Sequence, residues 1–184
     1  MIEIQNLSFS FGKKTIFENY NLTLPDAGVV VFSAPSGRGK TTLFRLLAGL
    51  LKPREGRISG LENRRIGFVF QEDRLLPWLT VKDNIACVSD EKTALSLLEE
   101  LELSQSAEAL PAALSGGMAR RVAILRALAF SDDVLFLDEP FTGLDPELKE
   151  KTARLIQKKC RLVLMITHDA GEAELFSGAI RVEL

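Results

Sequence analysis

The stretch Ala34-Pro35-Ser36-Gly37-Arg38-Gly39-Lys40-Thr41-Thr42 nearly matches the phosphate-binding P-loop pattern G-x-x-x-x-G-K-S/T. A phosphate chain needs many converging N–H donors and little side-chain bulk. Gly37 and Gly39 permit both at the start of a helix, where the dipole favours anions. In such a loop Ser36, Gly37, Arg38, Gly39, Lys40, Thr41 and Thr42 form the cradle. Lys40 meets the β and γ phosphates, and the Thr41 hydroxyl takes Mg²⁺. Ala34 stands where the pattern has glycine; one extra methyl is accepted at negative φ and strained at positive φ.

A second group lies about a hundred residues on. Val134-Leu135-Phe136-Leu137 is an apolar run ending in Asp138-Glu139. Two acids at a strand end are often only a solvated turn. Beside a P-loop they are placed to hold Mg²⁺ through Asp138 and to polarise an attacking water through Glu139. Between the two groups lies Ser115-Gly116-Gly117, a serine hydroxyl followed by bare amides. It reads either as an ordinary helix cap or as a second anion site.

These groups need a scaffold that brings strand ends and helix starts together. Short β-rich runs alternate with helical patterns, which argues an α/β sheet. Tyr20, Leu22 and Leu24 alternate with polar residues as a half-exposed strand does, whereas Gly28 to Phe32 is a continuous, buried run. Leu43, Leu46, Leu47 and Leu50 then recur at helical spacing, with Pro53 just beyond as a stop. Ile66 to Phe70 reads as a further strand. The stretch from Leu75 to about Leu110 reads as a helical insertion, with Ala94, Leu98 and Leu101 on one face. Met118, Val122, Leu125 and Ala129 form a stripe on the helix after Ser115. Asp145-Pro146 supplies an N-cap and a first-turn proline for a helix carrying Leu148, Leu155 and Ile156. Leu162 to Ile166 is another buried strand.

The whole composition fits one domain. The chain has 184 residues, 23 Lys+Arg against 25 Asp+Glu, and 46% hydrophobic residues. That is globular and nearly neutral, with no basic patch to suggest a nucleic-acid partner. The apolar runs fall far short of the ~20 residues that span a bilayer. Two cysteines, Cys87 and Cys160, give no disulfide or metal pattern, and Met1-Ile2-Glu3-Ile4-Gln5 lacks the features of a signal peptide. A reduced, cytosolic protein is expected.

Leu114-Ser115-Gly116-Gly117-Met118, placed between the P-loop and the Asp138-Glu139 strand, resembles the signature motif of ABC-type ATPases, the nucleotide-binding subunits of ABC transporters. The resemblance covers nearly the whole chain in order. Phe11 matches the aromatic that stacks on adenine, Gln71 the Q-loop glutamine, Gly143-Leu144-Asp145 the D-loop, and His168 in Thr167-His168-Asp169 the switch histidine. Phe11 lies two residues from Phe9, so core packing is its competing role.

The resemblance implies a P-loop NTPase core of ABC ATPase type, with an N-terminal antiparallel β region and an α-helical subdomain inserted over about residues 72–120 of a single 1–184 domain. It implies ATP and Mg²⁺, the metal held by Thr41, Gln71 and Asp138. Lys40 offsets phosphoryl charge, Glu139 orients the water, and His168 contacts the γ-phosphate. It also implies a homodimer, or a pair with another such subunit, in which Ser115, Gly116 and Gly117 reach the partner's nucleotide.

Gln71-Glu72-Asp73-Arg74-Leu75-Leu76-Pro77-Trp78 is similar to the segment after the Q-loop in importers of the nitrate, sulfonate and taurine group. Trp78 would then either meet an integral membrane permease or cap the helical core. The expected function is the ATPase of an importer of a small anionic or polar solute. It would be peripheral on the inner face of the membrane, with a possible solute-binding protein. The rival readings are a soluble ATP-dependent switch driving protein assembly or remodelling, and a cassette impaired by Ala34 and by the short end after His168.

Overall fold

A computed structural model describes residues 1–33 and 37–184 of the chain. Ala34, Pro35 and Ser36, which the sequence places in the phosphate cradle, lie outside the described residues.

The chain opens with β1 (Ile2–Phe11), β2 (Lys14–Leu24) and β3 (Gly28–Ser33), followed by α1 (Lys40–Leu47), β4 (Glu55–Ser59) and β5 (Ile66–Val69). Helices α2 (Val81–Ala86), α3 (Glu91–Glu100) and α4 (Gly116–Phe130) follow, then β6 (Val134–Asp138), α5 (Pro146–Lys159), β7 (Leu162–Ile166) and β8 (Ile180–Glu183). Strands β2, β1 and β4 form an antiparallel sheet in that order, and β5, β6, β7, β3 and β8 form a parallel one.

The continuous apolar runs are explained by burial on both faces of the parallel sheet. Successive side chains point to opposite sides of a strand. Val30, Phe32, Val134, Phe136, Leu162 and Leu164 enter one core with the antiparallel sheet and α1, which adds Leu43, Phe44 and Leu47. Val29, Val31, Leu135, Leu137, Val163 and Met165 enter a second core, shared with α2 through α5. With water excluded from both faces there is no polar side to alternate with.

Helix α1 ends earlier than its leucine spacing suggests. Gly49 takes φ 71°, its N–H bonds to the Leu46 carbonyl at 3.1 Å, and the Leu50 N–H turns back to Arg45 at 2.8 Å. This left-handed stop leaves Leu50 exposed and off the helix, well before Pro53 is reached.

The stretch read as a helical insertion contains only two short helices, α2 and α3, capped by Thr80 and Asp90 side chains. Two 3-10 turns follow at Ser104–Ser106 and Pro111–Ala113, and residues 70–80 carry no regular element. Helix α4 is buried on more than the one expected stripe: Arg120, Arg121, Val122, Ala123, Ile124, Leu125, Ala127 and Leu128 are all buried.

In the register of the parallel sheet Asp138 pairs with Ile166, and Phe32 pairs with Ile166 from the other side. The carboxyl ends of β3, β6 and β7 therefore meet at one edge, the place where α/β sheets bind ligands.

Candidate active site

At that edge a cleft of about 420 Å³ opens between the two sheets. Among the described residues it is lined by Phe11 from β1, Lys14 and Ile16 from β2, and Gly37, Gly39, Lys40, Thr41 and Thr42 from the turn and first residues of α1. Gln71, Asp138, Glu139 and Ile166 complete it. The sequence motifs thus converge on one volume. Arg38 lines an adjoining groove with Lys14 and Tyr20.

Gly39 caps α1 at φ 94°, and a Cβ there would lie 2.5 Å from Ile16 Cγ2 and 3.0 Å from the Phe17 ring. Both the backbone angle and the contact require glycine. Lys40, the next residue, is the first of the helix, so the opening turn of α1 lies at the cleft, where the helix dipole favours an anion.

The Thr41 hydroxyl donates to Asp138 Oδ2 at 2.9 Å. Asp138 is 3% exposed, and burial pushes its carboxyl pKa upward, with Glu139 adding to the rise and the Thr41 bond, Arg45 and Lys40 opposing it. A buried carboxylate disfavoured in its charged form, paired with a hydroxyl and open to a polar cleft, is a hard-oxygen donor set that a divalent cation would satisfy. Mg²⁺ fits these residues. The site has few protein ligands, as Mg²⁺ sites completed by water and phosphate oxygens do.

Glu139 is held in an uncommon backbone conformation at φ 53°. Its N–H donates to the Ile166 carbonyl at 3.0 Å, so β7 fixes the turn after β6. Strained backbone of this kind costs about 1–3 kcal/mol and persists where surrounding structure over-determines it. The Glu139 side chain is only 17% exposed, and its Oε2 accepts from the His168 backbone N–H at 3.3 Å and lies 2.6 Å from His168 Nδ1. The histidine ring itself is 78% exposed, at the rim where a ligand would arrive.

Of the two aromatic candidates Phe9 is buried, while Phe11 is 50% exposed, meets Phe9 edge-on at 4.9 Å and faces the cleft. The half-exposed ring is free to stack on a flat ligand.

Gln71 is positioned by residues the sequence did not single out. Arg120, buried on α4, donates from Nη1 to the Phe70 carbonyl at 2.6 Å and from Nη2 to the Gln71 carbonyl, and its Nε lies 3.2 Å from Asp73 Oδ1. Arg126 takes the Arg74 and Asp73 carbonyls at 2.9 and 3.2 Å. Asn84 of α2 donates to Leu76, Leu79 and Thr80 carbonyls at 3.0–3.1 Å and accepts from Leu76 N–H at 2.8 Å. Residues 70–80 therefore satisfy their backbone through side chains of α2 and α4 instead of a ladder. The signal available in the sequence was three arginines on a helix otherwise rich in Val, Ala, Ile and Leu. The same segment carries Trp78 out to 72% exposure, which excludes its role as a cap on the helical core.

Ser115, Gly116 and Gly117 do not line the cleft. The Ser115 hydroxyl accepts from Met118 N–H at 3.3 Å, an N-cap, and the signature packs instead on the turn before α5. A Cβ on Gly117 would lie 2.5 Å from the Gly143 carbonyl oxygen, and Gly143 itself sits at φ 78°. Gly117→Ala is expected to push this turn from α4. The cost is about 1–3 kcal/mol of stability, read by denaturant unfolding.

A match to the family described as "ABC transporter" spans residues 17–142. The chain is 40% identical over 181 residues to "Aliphatic sulfonates import ATP-binding protein SsuB 1" of Pseudomonas savastanoi pv. phaseolicola, covering 94% of this chain and 76% of that protein. It is 38% identical over 194 residues to "Probable sulfate/thiosulfate import ATP-binding protein CysA" of Chlorella vulgaris, covering 94% and 82%. Among solved structures, the post-hydrolysis dimer of the ATP-binding cassette MJ0796 bound to ADP and Pi superposes with a TM-score of 0.85 at 28% identity, covering 100% of this chain and 96% of that one.

Proposed function

Because the chain belongs to the ABC transporter family of ATP-binding cassettes, we propose that it binds ATP in the Phe11–Glu139 cleft and hydrolyses it to power import of a small anionic solute of the sulfonate or sulfate class. The observation that carries this reading is the meeting, in one cleft, of the Thr41–Asp138 hydrogen bond at the start of the P-loop helix with Glu139, which holds His168 at the rim.

Phe11 stacks on the adenine, and the amides from Gly37 to Thr42, with Ser36, cradle the phosphates. Lys40 balances the charge that spreads over the transferring phosphoryl group. Thr41, Asp138 and Gln71 would hold Mg²⁺, which when bound neutralises charge on the β and γ oxygens. Glu139 orients and deprotonates the attacking water, its carboxylate aimed by the φ 53° turn and by His168. His168, exposed at the rim and held on Glu139 through Nδ1, contacts the γ-phosphate.

Ser115, Gly116 and Gly117 are not among the residues lining the chain's own cleft; two copies pair head to tail, each supplying these residues to the other's ATP. A γ-phosphate held from both sides binds the closed pair better than the open one, and its hydrolysis reverses that preference. No helix among the described residues is long and apolar enough to cross a bilayer. As with the import ATP-binding proteins it resembles, the chain works with a membrane permease that carries the solute, with Trp78 and Leu76 in the contact surface and a solute-binding protein delivering cargo from outside.

The test is co-purification with an integral permease, and ATP-driven uptake of an alkanesulfonate or sulfate by the reconstituted complex. ATPase activity stimulated only by a nucleic acid or a soluble protein would contradict the transport role.

A further inference from the structure

One buried carboxylate takes no part in the chemistry above. Glu172 sits in the 3-10 turn Ala170–Leu175, with its side chain 8% exposed. Its Oε2 accepts the Thr167 hydroxyl at 2.5 Å, and its Oε1 lies 2.6 Å from Lys149 Nζ on α5. The Thr167 oxygen accepts in turn from the Asp169 N–H at 3.1 Å. Asp169 Oδ1 accepts from Gly171 N–H at 2.9 Å, and the Asp169 carbonyl accepts from Glu172 N–H at 3.1 Å. Apart from the Lys149 contact, every one of these bonds closes within residues 167–172, and His168 lies between Thr167 and Asp169, which are joined by one of them.

Stability alone does not call for such a knot. A buried ion pair is often matched by apolar residues of similar volume, because desolvation offsets the attraction. What it does provide is a fixed angle. The His168 N–H and ring both end on one oxygen of Glu139, and the direction of both depends on the peptide from Thr167 to Asp169. Lys149, one turn into α5, carries the connection on. The N-cap of that helix is Asp145, two residues after the Gly143 that touches Gly117.

We propose that Glu172, acting through the Thr167 hydroxyl and anchored by Lys149, is a positioning residue that sets His168 on Glu139 and ties this pair to the edge bearing the signature. The inference rests on the reading of Glu139 and His168 as the hydrolytic pair.

Thr167→Val removes the hydroxyl and keeps the shape, whereas Thr167→Ser keeps the hydroxyl. Thr167→Val is expected to lower kcat roughly 10- to 100-fold, the scale of a misaligned catalytic group, with KM for ATP within about twofold of wild type. Thr167→Ser retains most of the activity, and Glu172→Gln behaves like Thr167→Val. The effect must act through His168, so in a His168→Ala background Thr167→Val should change kcat no further. An undiminished effect in that background, or a Thr167→Val protein with lowered melting temperature and unchanged kcat, would overturn the inference alone. Wild-type kcat in His168→Ala itself would overturn the underlying hydrolytic reading as well.

Discussion

Glu139→Gln should lower ATP turnover by about 10²- to 10⁴-fold, the range that a general base contributes, while leaving ATP binding in place. The substitution keeps the volume and an oxygen that can still accept from the His168 N–H, which the carboxylate now holds at 3.3 Å. It removes the carboxylate charge that Glu139, on its φ 53° turn, brings to the cleft lining. None of the cradle from Gly37 to Thr42 is touched, nor is the Thr41–Asp138 bond. With hydrolysis stopped and the γ-phosphate intact, the head-to-tail pair should accumulate with ATP and be visible by size exclusion. Rapid hydrolysis by this variant would remove Glu139 from the chemistry.

Asp138→Asn is expected to separate stability from activity. The folded state holds the Asp138 carboxyl above its ordinary pKa because it is buried. A raised carboxyl favours the fold when protonated, and that contribution is lost as pH rises through the folded-state value. At neutral pH the wild type therefore carries an ionised group that the interior disfavours, and asparagine carries none. In thermal denaturation without nucleotide the variant should melt at or above the wild type at pH 7, with the difference shrinking as pH falls into the carboxylate range. Activity should move the other way, by at least about 10²-fold, since the metal-binding charge is gone. The melting-temperature rise that Mg²⁺ and ATP give the wild type should largely vanish. A variant less stable than wild type at pH 7 without nucleotide would contradict the electrostatic account.

The sequence was most informative where chemistry and local structure coincide. The run Gly28 to Phe32, the glycines at 37 and 39 and the acids after Leu137 each specify an element and its end, and all meet at one sheet edge. Asp145-Pro146 likewise reads directly as the start of α5, and Asp145 Oδ1 accepts from Leu148 N–H at 2.9 Å. Phe11, Gln71 and His168 are different. Each is a single residue of common type, reached through a family resemblance, and only the fold brings them to the same cleft or its rim.

What stayed hidden depends on distant partners. Arg120, Arg126 and Asn84 look like ordinary polar positions until residues 70–80 pass beside them, some fifty residues away along the chain for Arg120. The burial of α4 on nearly all sides was obscured for the same reason, because arginines that bond to carbonyls read as a solvent face. Leu50 misled in the opposite sense. Its spacing continues a helix that the left-handed Gly49 has already ended.

The central claim is that each chain carries half of two composite ATP sites. The direct measurement is ATPase activity per chain over a dilution series in which sedimentation shows the protein passing from monomer to dimer. The account predicts that activity per chain collapses with the dimer fraction, and that adding Lys40→Ala chains, which lack the phosphate cation but keep an intact Ser115–Gly117, restores part of it. Activity per chain unchanged from dimer to monomer would contradict it.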